Sequence, residues 1–289
     1  MVDSPFDPDN FEGFKRWRDV KLSNFPPSID KIIVEIKNPL LLTKSEKNDI
    51  LVICKKSNHV IYHSTSVIKP EDVRVLGEQL GLSRIDHNPF SDDAVSIITD
   101  KTKTEIPKAG EYIPYTSSPI QWHTDGYYNP WDRQIRGFIL HCRQDASVGG
   151  ENEILDNEIV YLFLRDKNPE LIRALMKPDV MTIPVNDDAD VTDRPESRGP
   201  VFSIMRDGSL HMRYTARKKN VIWSSDPDIQ EAKKELEGFL SSKTPFHFFG
   251  KLNPGQGIIT NNSLHRRNGF TDSGENRVMF RARYYDKVV

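Results

Sequence analysis

Two histidines and one aspartate have the residue types and the spacing of a metal-binding site. His123 and Asp125 are separated by one residue, and His265 lies far downstream. Two imidazoles and one carboxylate hold a ferrous ion on one face and leave its other positions open to substrates and dioxygen. This set predicts an oxygen-activating enzyme. Zinc accepts the same ligands together with a water molecule, so a zinc hydrolase is an alternative, although the sequence offers no evident general base.

The elements around these residues are predicted to bring them to strand ends. Alternate residues of an extended strand project from the same face, so His123 and Asp125 can reach one ion. The stretch 119–122 is typical of a strand that leads into this pair. His265 follows a Pro-Gly turn signal and a short apolar strand signal over 258–260. We therefore expect the three side chains to converge from two strands.

The His-x-Asp pair alone is weak evidence, because such a pair is often an ordinary surface pair. Its specificity comes from the order of the other motifs: a Gly-Gly turn at 149–150, the distal histidine, and Arg277 twelve residues after that histidine. The segments concerned are Trp122-His123-Thr124-Asp125-Gly126, Gly149-Gly150-Glu151-Asn152, Asn261-Asn262-Ser263-Leu264-His265 and Arg277-Val278-Met279-Phe280-Arg281-Ala282-Arg283.

Taken together, these segments resemble the taurine dioxygenase and γ-butyrobetaine hydroxylase superfamily of iron(II)- and 2-oxoglutarate-dependent oxygenases. The resemblance extends from about residue 110 to the C-terminus. It implies a mainly β fold with helical additions, built on a double-stranded β-helix, or jelly roll. It also implies Fe(II) as the metal, with 2-oxoglutarate and dioxygen as co-substrates.

The resemblance assigns roles to individual residues. His123, Asp125 and His265 become the iron ligands, and Arg277 becomes the partner of the distal carboxylate of 2-oxoglutarate. A guanidinium suits that role because it matches a carboxylate with two parallel hydrogen bonds and stays charged. Asn152 stands where family members commonly have a threonine that contacts 2-oxoglutarate. An asparagine amide also donates hydrogen bonds, so Asn152 is a second candidate contact.

The predicted activity is the hydroxylation of a small polar or anionic metabolite, with release of succinate and carbon dioxide. Arg281 and Arg213 are candidate substrate residues because arginine pairs with acidic groups. Tyr127 is a third candidate, since aromatic rings near the site would suit a cationic headgroup. Asp125 favours hydroxylation, because halogenating members of the family lack this carboxylate. A non-catalytic jelly-roll protein that senses a metal or metabolite is a further alternative.

Composition limits the class of protein. A chain of 289 residues with 37% hydrophobic residues is long enough for one domain over 1–289, whose first 100 residues or so form a mixed α/β lead-in packed on the core. The net charge of −2 argues against a nucleic-acid partner. No stretch approaches the roughly 20 apolar residues of a membrane span. We expect a cytoplasmic protein with a small-molecule substrate, and a homo-oligomer is compatible with the sequence.

Sequence patterns also predict individual elements. His141 lies in an apolar strand and is expected to be structural. A polar stretch over 91–110 is predicted to be a loop. Helices are predicted over 71–80, over 157–176 with an interruption at Pro169, and from Asp226 to 240. Strands are predicted near 32–36, 51–54 and 60–62.

Overall fold

The computed structural model describes residues 4–87, 94–102, 113–185 and 194–289. The α-helices in these ranges are α1 (Phe11–Asn24), α2 (Lys44–Ser57), α3 (Pro70–Glu78), α4 (Asn157–Lys167), α5 (Pro169–Leu175) and α6 (Pro227–Ser241). In the same ranges, no helix combines the length and hydropathy that a bilayer span requires.

Strands make up most of the remaining regular structure. They are β1 (Ile33–Glu35), β2 (His59–His63), β3 (Val95–Ile98), β4 (Ile120–His123), β5 (Gly137–Gln144), β6 (Val148–Gly149), β7 (Asn152–Leu155), β8 (Met181–Ile183), β9 (Ser197–Gly199), β10 (Phe202–Ile204), β11 (Leu210–Met212), β12 (Ile222–Trp223), β13 (His247–Gly250), β14 (Gln256–Thr260), β15 (Leu264–Arg267), β16 (Phe270–Thr271) and β17 (Val278–Tyr284).

The helix boundaries follow local signals in the sequence. Helices α3, α5 and α6 each have a proline in the first turn, where the missing N–H interrupts no intrahelical hydrogen bond. The Asp226 side chain caps α6 by accepting a hydrogen bond from the amide of Asp228. The predicted helices are confirmed, including the interruption between α4 and α5 at Asn168, whose own side chain caps α5.

The strand predicted near 51–54 is wrong, because these residues belong to α2. The helix begins with a capping box in which Thr43 and Glu46 each accept a hydrogen bond from the other's backbone amide. Ile50 and Cys54 are four residues apart and are both buried on one face. A short apolar run fits either a strand or one face of a helix, and here the cap and the four-residue spacing favour the helix.

Six strands form the largest sheet, in the order β1-β2-β14-β5-β17-β3. The β1–β2 pair is parallel and the other neighbours are antiparallel. An apolar core that includes Leu76 of α3, Ile50 of α2, Ile139 of β5 and Phe280 of β17 packs these two helices on the sheet. Full burial of each such side chain stabilises the fold by about 1.5–3 kcal/mol.

The loop predicted over 91–110 is wrong in part, because Val95–Ile98 form strand β3. Val95–Ile98 pairs with β17 at the edge of the large sheet, with Ser96 opposite Arg281. The stretch contains a short β-branched run, and the edge of β17 is available to pair with it. The rest of the predicted loop at 91–93 and 103–110 lies outside the described residues.

A second sheet has four strands in the order β13-β7-β15-β4. Strand β4 confirms the predicted strand that leads to His123, which is its last residue. His265 is the second residue of β15, and Asn152 is the first residue of β7. The smaller sheets have the orders β12-β8-β9, β10-β11 and β16-β6.

The chain forms two compact units, each built from separate segments. One comprises residues up to Phe25 together with Trp122–Gln134 and Leu155–His247; the other comprises Pro26–Gln121, Ile135–Ile154 and Phe248–Val289. The first 25 residues and the remainder of the predicted lead-in therefore belong to different units. The single domain over 1–289 stays a prediction.

Arg165 of α4 anchors the N-terminal segment of the first unit. Its guanidinium donates hydrogen bonds to the carbonyls of Pro5, Pro8 and Asn10 at 2.8, 3.2 and 3.1 Å. Its central carbon lies 4.1 Å from the centroid of the Phe14 ring, a cation–π contact. A buried guanidinium satisfied by carbonyl oxygens holds this irregular segment in place.

Candidate active site

The end of β4 is fixed by pairing with the segment 214–216. Thr124 donates its amide to the carbonyl of Tyr214 at 3.0 Å, and its Oγ1 accepts the amide of Tyr214 at 3.1 Å. The amide of Ala216 donates a hydrogen bond to the carbonyl of Trp122 at 2.8 Å, and Thr215 forms an isolated antiparallel bridge with His123. Thr124 is fully buried. These contacts determine the direction of the backbone that carries His123 and Asp125.

The ring of His265 is oriented by its own backbone and by an aromatic neighbour. Its Nδ1 lies 3.0 Å from the carbonyl oxygen of Ser263. A carbonyl oxygen only accepts, so Nδ1 carries the proton and Nε2 of the neutral ring keeps its lone pair. The ring of Phe138 packs beside it, with the ring centroids 4.9 Å apart. This arrangement prepares Nε2 to bind a metal ion.

His123, Asp125 and His265 each offer one ligand atom, and these atoms lie within 4.8 Å of one another. Nε2 of His123 is 3.7 Å from Oδ1 of Asp125. Two atoms that each lie about 2.1 Å from one ion are at most about 4.2 Å apart, so this pair suits a single ion. Two neutral imidazoles and one carboxylate form the donor set expected for non-haem Fe(II) with open positions. The residues present therefore fit the metal that the sequence predicts.

Arg277 is a buried cation immediately before β17. Its side chain is 4% exposed, and its guanidinium carbon lies 5.3 Å from the centroid of Phe270. Among the residues that the structure describes, the guanidinium forms no hydrogen bond or ion pair. Burial lowers the pKa of Arg277. A buried guanidinium in this state favours the binding of an anion.

Arg267 is a second buried arginine, which sequence reasoning did not assign to the site. Its Nη2 donates to the carbonyls of Thr116 and Ser118 at 2.8 and 2.5 Å. Its guanidinium lies 4.9 Å from the same Phe270 ring. Burial lowers the pKa of Arg267, and the positive charge of Arg277 lowers it further. Arg267 thus connects the residues that lead into β4 with strand β15, a role that no sequence pattern indicates.

The structure places the Asn152 side chain in a cleft of about 140 Å³. Its amide lies 3.5 Å from the carbonyl of Gly150, at the limit of a hydrogen bond. The cleft is also lined by Ile154, Lys251 and Gln256, and its described lining residues do not include Arg277. Contact between Asn152 and 2-oxoglutarate stays a prediction.

The three predicted substrate residues have different surroundings. Arg281 lies on β17, opposite Leu140 of β5, and is partly buried. Tyr127 stands edge-on to His123, with ring centroids 6.5 Å apart. Arg213 is 4% exposed, and its Nη atoms donate to backbone carbonyls of Met181, Ser197 and Gly199. The contacts of Arg213 favour a structural role in joining strands over the predicted substrate contact.

Comparison with known sequences decides the family. A sequence model of the Taurine catabolism dioxygenase TauD, TfdA family matches residues 36–283. The chain belongs to this family. The family that the motifs predict is thus confirmed.

Solved structures show that the chain has the expected fold. Asparagine oxygenase in complex with Fe(II), a hydroxyasparagine and succinate is 14% identical and superposes with a TM-score of 0.61, covering 96% of this chain and 85% of that one. The non-haem iron oxygenase OrfP in complex with Fe and α-ketoglutaric acid is 15% identical, with a TM-score of 0.63 and coverage of 84% and 80%. The predicted mainly β fold with helical additions is confirmed.

Among curated proteins, a uridine-5'-phosphate dioxygenase from Amycolatopsis sp is similar to this chain. The two are 28% identical over 165 residues, which is 54% of this chain and 57% of the relative. The matched region thus spans little more than half the length of that relative.

Proposed function

We propose that the chain is an Fe(II)- and 2-oxoglutarate-dependent dioxygenase and that His123, Asp125 and His265 bind its ferrous ion. The observation that carries the proposal is the convergence of one ligand atom from each residue within 4.8 Å. The hydrogen bond from His265 to the carbonyl of Ser263 supports it, because that bond fixes the ring tautomer that can coordinate. When bound, Fe(II) and 2-oxoglutarate together supply the dioxygen chemistry that oxidises a C–H bond.

Arg277 binds the distal carboxylate of 2-oxoglutarate in this proposal. Its guanidinium is buried and has no acidic partner among the described residues, so an incoming carboxylate would neutralise it. The ring of Phe270 contacts Arg277 and restricts its position. Asn152 remains a candidate second contact to the co-substrate.

The primary substrate in this proposal is a small anionic metabolite that the enzyme hydroxylates. Uridine 5'-phosphate is the first candidate to test, because the curated relative from Amycolatopsis sp is named for that substrate. Arg281 and Tyr127 are the proposed substrate residues. Tyr127 supports this assignment through its edge contact with the ring of His123.

Replacement of Arg277 tests the proposed co-substrate site. We expect Arg277→Ala to raise the 2-oxoglutarate concentration for half-maximal succinate release by about 30-fold, because losing one partner of a buried charge pair costs about 2 kcal/mol or more. Succinate release by the Fe(II)-loaded enzyme is measured over a range of 2-oxoglutarate concentrations, with uridine 5'-phosphate present.

Arg281→Ala is the matched control, since it removes a guanidinium from the same strand region. It should act on the requirement for uridine 5'-phosphate and leave the requirement for 2-oxoglutarate nearly unchanged. If Arg277→Ala has no effect on 2-oxoglutarate while Arg281→Ala raises its requirement, the proposed roles of the two arginines are exchanged.

A further inference from the structure

Three consecutive cations, Arg217, Lys218 and Lys219, follow directly after the segment that pairs with β4. We call them the basic loop. Ala216, the residue before the loop, donates its amide to Trp122 at 2.8 Å. Thr215 bridges His123, so the basic loop begins two residues from the partner of a proposed metal ligand. The position of the loop relative to β4 is thus fixed by backbone hydrogen bonds.

Arg217 is directed back toward His123 by a side-chain contact. Its Nη1 donates to the phenol oxygen of Tyr127 at 3.1 Å, and its backbone amide donates to Oγ1 of Thr215 at 3.3 Å. Tyr127 in turn stands edge-on to His123. A continuous chain of contacts therefore runs from the proposed metal ligand through an aromatic ring to an arginine. The guanidinium still has other N–H groups that can bind an anion.

The basic loop has no acidic partner among the described residues. Within the described residues, the Arg217 side chain donates a hydrogen bond only to Tyr127, and Lys218 and Lys219 form no ion pair. Lys177 of the same unit, in contrast, is paired with Asp226 at 2.6 Å. Three adjacent exposed cations repel one another, and a multiply charged anion relieves that repulsion.

We propose that the basic loop binds the phosphoryl group of the primary substrate, with Arg217 as the main contact. This inference rests on the proposed function and specifies its substrate class as a phosphorylated metabolite. A guanidinium donates parallel hydrogen bonds to two oxygens of a phosphoryl group, and neighbouring lysines add charge without fixed geometry. Tyr127 positions Arg217 and lies between the phosphoryl group and His123.

The geometry separates two regions of the substrate. The carbon to be oxidised would lie close to His123, Asp125 and His265, where bound Fe(II) would supply the oxidising chemistry. The phosphoryl group lies beyond the ring of Tyr127, at Arg217. Arg281 lies on β17 and is not part of the basic loop. The dioxygenase would therefore select an elongated substrate by its charged end.

The test compares uridine 5'-phosphate with uridine, which differs only by the phosphoryl group. Both are titrated calorimetrically into the anaerobic protein loaded with Fe(II) and 2-oxoglutarate. The proteins are the wild type, the triple variant Arg217→Gln, Lys218→Gln, Lys219→Gln, the variant Arg281→Ala, and Lys234→Gln, which removes one exposed charge from α6. Binding of 2-oxoglutarate is measured first in each sample, so failure of the proposed co-substrate site is registered separately from failure of the basic loop.

We expect the wild type and Lys234→Gln to bind uridine 5'-phosphate at least about tenfold more tightly than uridine, because charge-assisted hydrogen bonds contribute on that order. The triple variant should lose this advantage while its affinity for uridine stays close to that of the wild type. The proposal is overturned if the wild type shows no phosphate-dependent advantage, or if the triple variant keeps it. Loss of the advantage in Arg281→Ala instead would move the phosphoryl site to β17.

Discussion

His141 on β5 shows how burial sets the chemistry of a single residue. Its ring stacks between those of Tyr62 and Phe280, with centroid distances of 5.8 and 6.0 Å. Nδ1 lies 3.0 Å from the hydroxyl of Tyr62. Burial, with a smaller contribution from the charge of Arg143, lowers the pKa of His141 to about 4. The histidine is therefore neutral in the folded protein, in agreement with the structural role that its apolar strand predicts.

This lowered pKa makes stability depend on pH in a defined range. An unfolded histidine has a pKa of about 6.5, so below that pH the unfolded state binds a proton that the folded state excludes. Stability is then lost as the pH falls from about 6.5 toward about 4. His141→Gln keeps a partner for Tyr62 but does not titrate. We expect the difference in unfolding free energy between wild type and this variant to decrease by about 2 kcal/mol between pH 7 and pH 4.5.

Urea denaturation at a series of pH values measures this difference. Acidic groups that titrate in the same range are common to both proteins and cancel in the comparison. A difference that stays constant from pH 7 to pH 4.5 would mean that the pKa of His141 is the same in the folded and unfolded protein.

At the residue scale, the sequence supplied the types and order of the site residues but not their contacts. His123, Asp125 and His265 could be selected because ligand chemistry restricts the residue types. The hydrogen bonds from Arg267 to the carbonyls of Thr116 and Ser118 could not be predicted, since they depend on how separate segments lie in the fold. An arginine in a mixed charged stretch gives no signal of burial.

At the scale of elements, the turn at Gly149 and Gly150 connects β6 with β7. Both residues have positive φ, 76° and 78°, which L side chains rarely adopt. A Cβ at Gly149 would lie 2.3 Å from the backbone oxygen of Gly269. A Cβ at Gly150 would have ordinary contacts, the nearest at 3.5 Å. The two positions therefore share a backbone conformation but differ in the room that they leave for a side chain.

This difference gives a matched pair of substitutions. We expect Gly150→Ala to lower the free energy of unfolding by about 1–2 kcal/mol, the cost of a left-handed backbone for an L residue. Gly149→Ala should cost clearly more, because the new methyl group also displaces the backbone of β16. Thermal or urea denaturation of both variants checks the order. Equal losses would show that the close approach of Gly269 has no energetic consequence.

Element prediction succeeded where local chemistry was decisive. Proline and capping residues predicted the starts of α5 and α6, because these signals act within one turn of helix. Prediction failed for α2, where an apolar run suited two kinds of element, and for β3, whose pairing with β17 is a tertiary contact. The failures differ in cause, because α2 follows from a local cap that outweighs an ambiguous apolar run, whereas β3 follows from a tertiary contact.

At the scale of the whole molecule, the resemblance of four motifs predicted the fold, and family membership confirmed it. The division into two units built from interleaved segments was not predictable. Sequence patterns report on neighbours along the chain, whereas each unit joins segments more than a hundred residues apart. The proposed iron site depends on both the sequence and the fold. Ligand chemistry selects its residues from the sequence, and the fold brings their side chains together.

The most direct test of the proposed iron site is an anaerobic titration of the Fe(II)-loaded protein with 2-oxoglutarate, followed by visible absorption. We expect the wild type to develop a metal-to-ligand charge-transfer band, and Asp125→Ala to lose it through weakened iron binding. Asp132→Ala removes an exposed carboxylate a few residues away and should keep the band. A wild type that binds iron without developing the band, or an Asp125→Ala variant with the full band, would contradict the proposed assignment of the metal ligands and co-substrate.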